Sequence, residues 1–164
     1  MSRLDSFIRR LEAQRICLGN SVHRTREIGG VVLELGLGNG RTFDHLREIC
    51  HGREIYVFDR QVAAHPDCIP ASNRLFLGEF ATTLKQAVKR LGAGCAALIH
   101  ADLGSGDAAT SQALAAKLAP DIVALMAPGA VIVSDQALST TGLQTLPLPP
   151  NVQPGRYFMA EMRA

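Results

Sequence analysis

Two hydrophobic periods alternate along the chain. Runs of β-branched, aromatic and aliphatic residues at 31–35, 54–59, 74–79, 94–102, 130–135 and 156–162 have strand length. Between them apolar residues recur every three to four positions, as in Phe43, Leu46 and Ile49, in Phe80, Leu84, Ala87, Val88 and Leu91, and in Leu114 and Leu118. That spacing puts one apolar stripe on a helix. Gly94 to Asp102 and Ala130 to Asp135 are almost continuously apolar, as central parallel strands covered on both faces must be. The alternation predicts an α/β domain, a three-layer, doubly wound, mainly parallel sheet.

A helical segment over 1–29 precedes a core over 30–164. Ser2 is placed to cap the first helix, whose apolar face is Leu4, Phe7, Ile8, Leu11 and Leu18, with Arg9, Arg10, Glu12 and Arg15 mostly turned away. Gly19-Asn20 is read as its end. The helix either covers the sheet or serves as a lid or an oligomer contact, and Ser21 to Ile28 is either a solvated helix or a rim of the site. Two prolines and several turn formers between His65 and Asn73 leave a short helical turn and a loop where a full crossover helix is usual. Pro120 is read as opening a new helix that Pro128-Gly129 stops, and Gln136 to Pro154 as loop with a short strand near Gly142 to Leu146.

With 164 residues the chain is one domain. A net charge of +2 with dispersed Lys and Arg offers no basic stripe for nucleic acid. Cys17, Cys50, Cys68 and Cys95 are too scattered for a zinc site or a disulfide framework, so no metal is expected. The start lacks the apolar core of a signal peptide and no run is long enough to span a bilayer, so the protein is expected in the cytoplasm.

The candidate chemistry gathers where strands end. Glu34-Leu35-Gly36-Leu37-Gly38-Asn39-Gly40 joins the first strand of the core to a helix, and a glycine-rich turn before a helix start lets a nucleotide-like ligand lie against bare backbone. The dinucleotide fingerprint needs a third glycine where Arg41 stands. Asp59 ends the second strand, nineteen residues after Gly40, where a carboxylate reaches ribose hydroxyls; it would alternatively be a turn former. Gly78-Glu79 precedes a helix, so Glu79 either accepts from an exocyclic amino group beside the ring of Phe80 or complements the helix dipole. Asp102, followed by Leu103 and Gly104, leaves the fourth strand at its carboxyl end, and His100 is two residues earlier on the same strand face. Asp107 fits a helix cap.

The Glu34-x-Gly36-x-Gly38-x-Gly40 spacing resembles motif I of the class I S-adenosylmethionine-dependent methyltransferases, and the whole resembles small stand-alone bacterial members. The resemblance implies a Rossmann-like methyltransferase fold and S-adenosyl-L-methionine as cofactor, held by Glu34, Gly36, Leu37, Gly38, Asn39, Gly40, Asp59, Arg60, Gly78, Glu79, Phe80, Asp102 and Leu103. It implies methyl transfer to an acceptor, with Asp102 or His100 as the base if one is needed; the dispersed charge points to a small-molecule or protein acceptor, a small molecule first. The amino-methylating tetrapeptide N-P-P-Y is absent, which leaves the acceptor open. A nicotinamide- or nucleotide-dependent oxidoreductase and a non-catalytic S-adenosylmethionine-binding protein are the alternatives, and a homodimer is the expected assembly.

Overall fold

The computed structural model describes residues 2–163. Seven strands form one sheet: β1 (Val31–Leu35), β2 (Ile55–Asp59), β3 (Leu75–Leu77), β4 (Ala96–Ala101), β5 (Met126–Ser134), β6 (Leu143–Thr145) and β7 (Phe158–Met162). They lie in the order β3-β2-β1-β4-β5-β7-β6, and only β7 is antiparallel to its neighbours. β1 is therefore flanked by β2 on one side and β4 on the other. There the crossovers part to opposite faces, which opens a crevice at the carboxyl ends of β1 and β4.

Alternation along the strands builds a core on each face. Leu33, Leu35, Tyr56, Phe58, Ile99 and Ile132 pack on the side of α3 (Phe80–Leu91) and α4 (Ala108–Leu125). Their neighbours Val32, Val57, Leu98, Val131 and Val133 face α1 (Arg3–Arg24) and α2 (Arg41–Ile49). Most of these side chains have almost no exposed surface, so truncating one such as Leu33 to alanine costs about 2–5 kcal/mol. The second crossover carries two 3₁₀ turns, Pro66–Cys68 and Ser72–Arg74, in place of a helix, as its prolines predict.

Three expectations are corrected. α1 is capped by Ser2 and Asp5 as a reciprocal box, but it runs through Gly19-Asn20 to Arg24, because Cys17, Leu18 and Ser21 are buried and their packing outweighs the weak propensity of that pair. Its buried stripe is Ala13, Gln14, Cys17, Leu18 and Ser21, whereas Leu4, Phe7 and Ile8 are 66%, 46% and 44% exposed. Pro120 lies inside α4 instead of opening a helix, and Pro128-Gly129 belongs to β5. There the β4–β5 register jumps from Ala96↔Met126 to Leu98↔Val131, a bulge that accommodates a residue with no N–H to donate.

Candidate functional site

Close approach of β1 and β4 shapes the glycine loop. Gly36 has φ +96, and a Cβ there would stand 2.6 Å from the carbonyl oxygen of Asp102. Only glycine lets the two strand ends meet this closely. The loop is braced by Asp59, whose Oδ2 accepts from the backbone N–H of Leu37 at 2.8 Å and of Gly38 at 3.1 Å. A side chain at Gly38 would meet nothing within 4 Å, so its main chain faces open space.

That space is a cavity of about 630 Å³. Gly36, Gly38, Asp59 and Arg60 line it from the ends of β1 and β2, Glu79 and Phe80 from the start of α3, Leu103 from the end of β4 and Leu114 and Leu118 from α4, together with Arg10, Asp102 and Lys117. Glu79 precedes α3 without making a side-chain capping bond, which leaves its carboxylate available, while Asp107 does cap α4 by accepting from Thr110 N–H at 2.8 Å. Polar groups at the rim and apolar walls between them suit a nucleoside with a charged tail.

A second chamber of about 220 Å³ lies on the α1 side. Phe7, Arg10, Leu11 and Gln14 come from α1, Leu37 and Asn39 from the glycine loop, and Arg41 and Thr42 from the start of α2. Gly36, Gly38, Arg10 and Asp102 border both spaces. At this boundary Arg10 Nη2 donates to both oxygens of Asp102, at 2.6 and 2.8 Å. Asp135 stands beside the pair, accepting from Leu103 N–H at 2.9 Å; burial pushes its carboxyl up, opposed by that N–H and reinforced by Asp102.

Behind the boundary is a largely buried polar chain. Thr42 donates to Glu34, Glu34 Oε2 lies 2.7 Å from His100 Nδ1, and His100 Nε2 lies 3.3 Å from both Gln14 Nε2 and Tyr157 Oη. Gln14 in turn donates to Tyr157 Oη at 2.6 Å. Burial pushes the His100 imidazole down, but the Glu34 carboxylate, helped by Asp102 and Asp135, more than offsets this and raises it.

Of the residues expected in the site, Gly36, Gly38, Asp59, Arg60, Glu79, Phe80, Asp102 and Leu103 border the larger cavity, and Leu37 and Asn39 the chamber. Glu34, Gly40, Gly78 and His100 border neither. Glu34 and His100 are sealed in the sheet; Gly40, at φ +86, starts α2 against Cys68; Gly78 donates its N–H to the Asp59 carbonyl at 2.9 Å. Sequence reasoning missed Arg10, Gln14, Phe7, Arg41, Thr110 and Lys117. Arg10 had a signal: it continues the Gln14, Cys17, Leu18, Ser21 stripe one turn toward the helix start.

The sequence profile of a family described as "S-adenosyl-L-methionine methyltransferase" matches residues 1–162. A solved structure of an S-adenosyl-L-methionine methyl transferase from Silicibacter pomeroyi DSS-3 is 43% identical and superposes with a TM-score of 0.94, covering 99% of both chains. TrmN from Thermus thermophilus, at 17% identity and a TM-score of 0.56, covers 88% of this chain and 48% of its own. A putative SAM-dependent methyltransferase from Streptococcus mutans, at 13% and 0.56 with the same coverages, is likewise similar in fold alone. No protein of curated function matches the sequence.

Proposed function

This chain belongs to the S-adenosyl-L-methionine methyltransferase family, and from that premise we propose that the larger cavity would hold the cofactor and the smaller chamber the acceptor, the two spaces meeting at Gly36 and Asp102. The observation that carries this reading is the shared border: Arg10, Gly36, Gly38 and Asp102 face both spaces.

The residues of the larger cavity fit the cofactor. Asp59 offers a carboxylate at the end of β2 for ribose hydroxyls, Glu79 an acceptor for the adenine amino group, and Phe80, Leu103 and Leu114 apolar faces for the base. Bare main chain at Gly38 admits the ligand without a side chain in the way. When bound, S-adenosyl-L-methionine supplies an electrophilic methyl on a sulfonium. The chain's own part is to align the acceptor, exclude water and take a proton where the acceptor must lose one. Asp102 is the group for that proton, since it borders both spaces. His100 is a positioning residue, because it has no exposed surface and reaches the chamber only through Gln14 on one side and through Glu34 and Thr42 on the other.

A chamber of this size and the dispersed charge favour a small-molecule acceptor. Four free cysteines, two of them buried, favour a reducing compartment, the cytoplasm. Among the described residues no helix is long and apolar enough to cross a membrane. The exposed Leu4, Phe7 and Ile8 favour a homodimer through α1, which sedimentation across micromolar concentrations tests by mass.

Calorimetry with S-adenosylhomocysteine and NAD tests the cofactor assignment, with tighter binding of S-adenosylhomocysteine expected. For Asp102→Asn, once an acceptor is in hand, turnover falls by roughly 10²–10⁴ while S-adenosylhomocysteine affinity holds. Lost affinity with unchanged turnover would move Asp102 to cofactor binding alone.

A further inference from the structure

The chamber's charge is unbalanced. Its ionised lining residues are Arg10, Arg41 and Asp102, and Asp102 is already matched by Arg10. Arg41 is left with no carboxylate partner among the described residues; in the orientation that satisfies both groups it donates to the amide oxygen of Asn39, at 3.1 and 3.2 Å, and its guanidinium lies 5.9 Å from the centre of the Phe7 ring. It is also the first residue of α2, where the helix dipole disfavours a cation, and Gly40 offers no capping side chain. An anion placed there relieves that repulsion.

Arg10 is similarly incomplete. All its hydrogen bonds to the described residues leave from Nη2, whereas a guanidinium has five N–H donors in a rigid fork. Nε and Nη1 remain available for a second acceptor beside Asp102. The chamber is also walled by Phe7 and Leu11, a flat ring and a branched aliphatic chain. Its 220 Å³ is the volume of about seven waters, room for a small fragment.

We propose that the chamber binds a small carboxylate with an aromatic or flat apolar body, its carboxylate held between Arg10 and Arg41 and its body against Phe7 and Leu11. This rests on the methyltransferase reading and names the acceptor class for it. Arg10 then touches Asp102 and the acceptor together, which sets the acceptor's orientation against the carboxylate that takes its proton.

Calorimetric titration of the protein saturated with S-adenosylhomocysteine tests the proposal, with benzoate, phenylacetate and 4-hydroxybenzoate against 4-hydroxybenzamide and tyramine. At least one carboxylate should bind with a Kd in the range of about 10 mM or tighter, as a ligand-efficient fragment of this size does, and roughly tenfold more tightly than the amide or the amine. Arg41→Gln and Arg10→Gln should each weaken that carboxylate about tenfold, Phe7→Ala should weaken it less, and Arg41→Gln should leave S-adenosylhomocysteine affinity unchanged. Equal binding of carboxylate and amide, or no carboxylate binding at all, overturns the proposal. So does a tenfold loss of S-adenosylhomocysteine affinity in Arg41→Gln, which would give the guanidinium to the cofactor's own carboxylate. Failure of the wild-type protein to bind S-adenosylhomocysteine is a separate result, and it would sink the methyltransferase assignment of the cavity instead.

Discussion

Glu34 and His100 are register partners on adjacent parallel strands, and their side chains meet at 2.7 Å with no exposed surface on either. The pair ties the stability of the sheet to pH. Burial alone would lower the imidazole, yet Glu34 holds it above the ordinary value of about 6.5. A raised folded value means that the stabilisation is complete below about pH 6.5 and is lost as pH rises through the folded value. The melting temperature should therefore decline on the alkaline side of about pH 6.5, and Glu34→Gln should flatten that decline. Scanning calorimetry from acid to alkaline buffer checks it; a melting temperature that climbs over the same interval would mean that His100 is folded in its neutral form.

Asp59→Ala should weaken S-adenosylhomocysteine binding by about 10–100-fold, because it removes an acceptor for ribose and releases the N–H groups of Leu37 and Gly38. Calorimetry reads the affinity, and the melting temperature of the free protein reads the loop. Unchanged affinity with a lowered melting temperature would leave Asp59 a loop brace only.

The two glycines beside it should separate fold from binding. At Gly36 a Cβ meets a backbone carbonyl 2.6 Å away, so Gly36→Ala should cost on the order of 2–4 kcal/mol and lower the melting temperature by about 4–16 °C. At Gly38, with φ +50 and open space, alanine should cost about 1–2 kcal/mol in the fold but reduce cofactor affinity, since its methyl enters the cavity. Thermal melts of the two variants beside S-adenosylhomocysteine titrations decide between these.

The contrast also explains which parts of the site were legible in the sequence. Gly36, Gly38 and Asp59 could be found because their duties are local: a turn after a strand, or a carboxylate at a strand end. Arg10 could not be found that way, since its partner Asp102 is 92 residues distant and a helical reading that centred the stripe on Leu4, Phe7 and Ile8 turned it to solvent. The same reading stopped α1 at Gly19, where burial of Leu18 and Ser21 carries the helix on. His100 was placed on the correct strand, but which charges surround a strand residue depends on the neighbouring strands and on α1. Pro120 misled because a proline marks a helix start only when the preceding turn lacks packing of its own; here Ala115, Leu118 and Ala119 are buried.

The cysteines should differ sharply toward alkylation. Burial pushes the Cys17 and Cys50 thiols up to about 11, so about one in a thousand is thiolate at pH 8, and both side chains are inaccessible. Cys68, in the crossover between β2 and β3, is partly exposed. Iodoacetamide on the native protein should label Cys68 well before Cys17 or Cys50, as peptide mass mapping will show; equal labelling would mean that α1 and α2 open readily.

α1 is packed at one end and tethered at the other. From Ala13 to Ser21 it is part of the core, while between Leu4 and Leu11 it is tied by polar contacts, Arg10 to Asp102 and Arg156 donating to Ser6 Oγ at 3.1 Å, with Phe7 and Leu11 bordering the chamber. Phe7 and Leu11 thus meet an acceptor without holding the helix. Positions 7 and 11, which border the chamber and not the larger cavity, form an exchangeable pair, and recombining them between relatives should retarget the enzyme while Arg10, the sheet, the glycine loop and the cofactor cavity stay as they are.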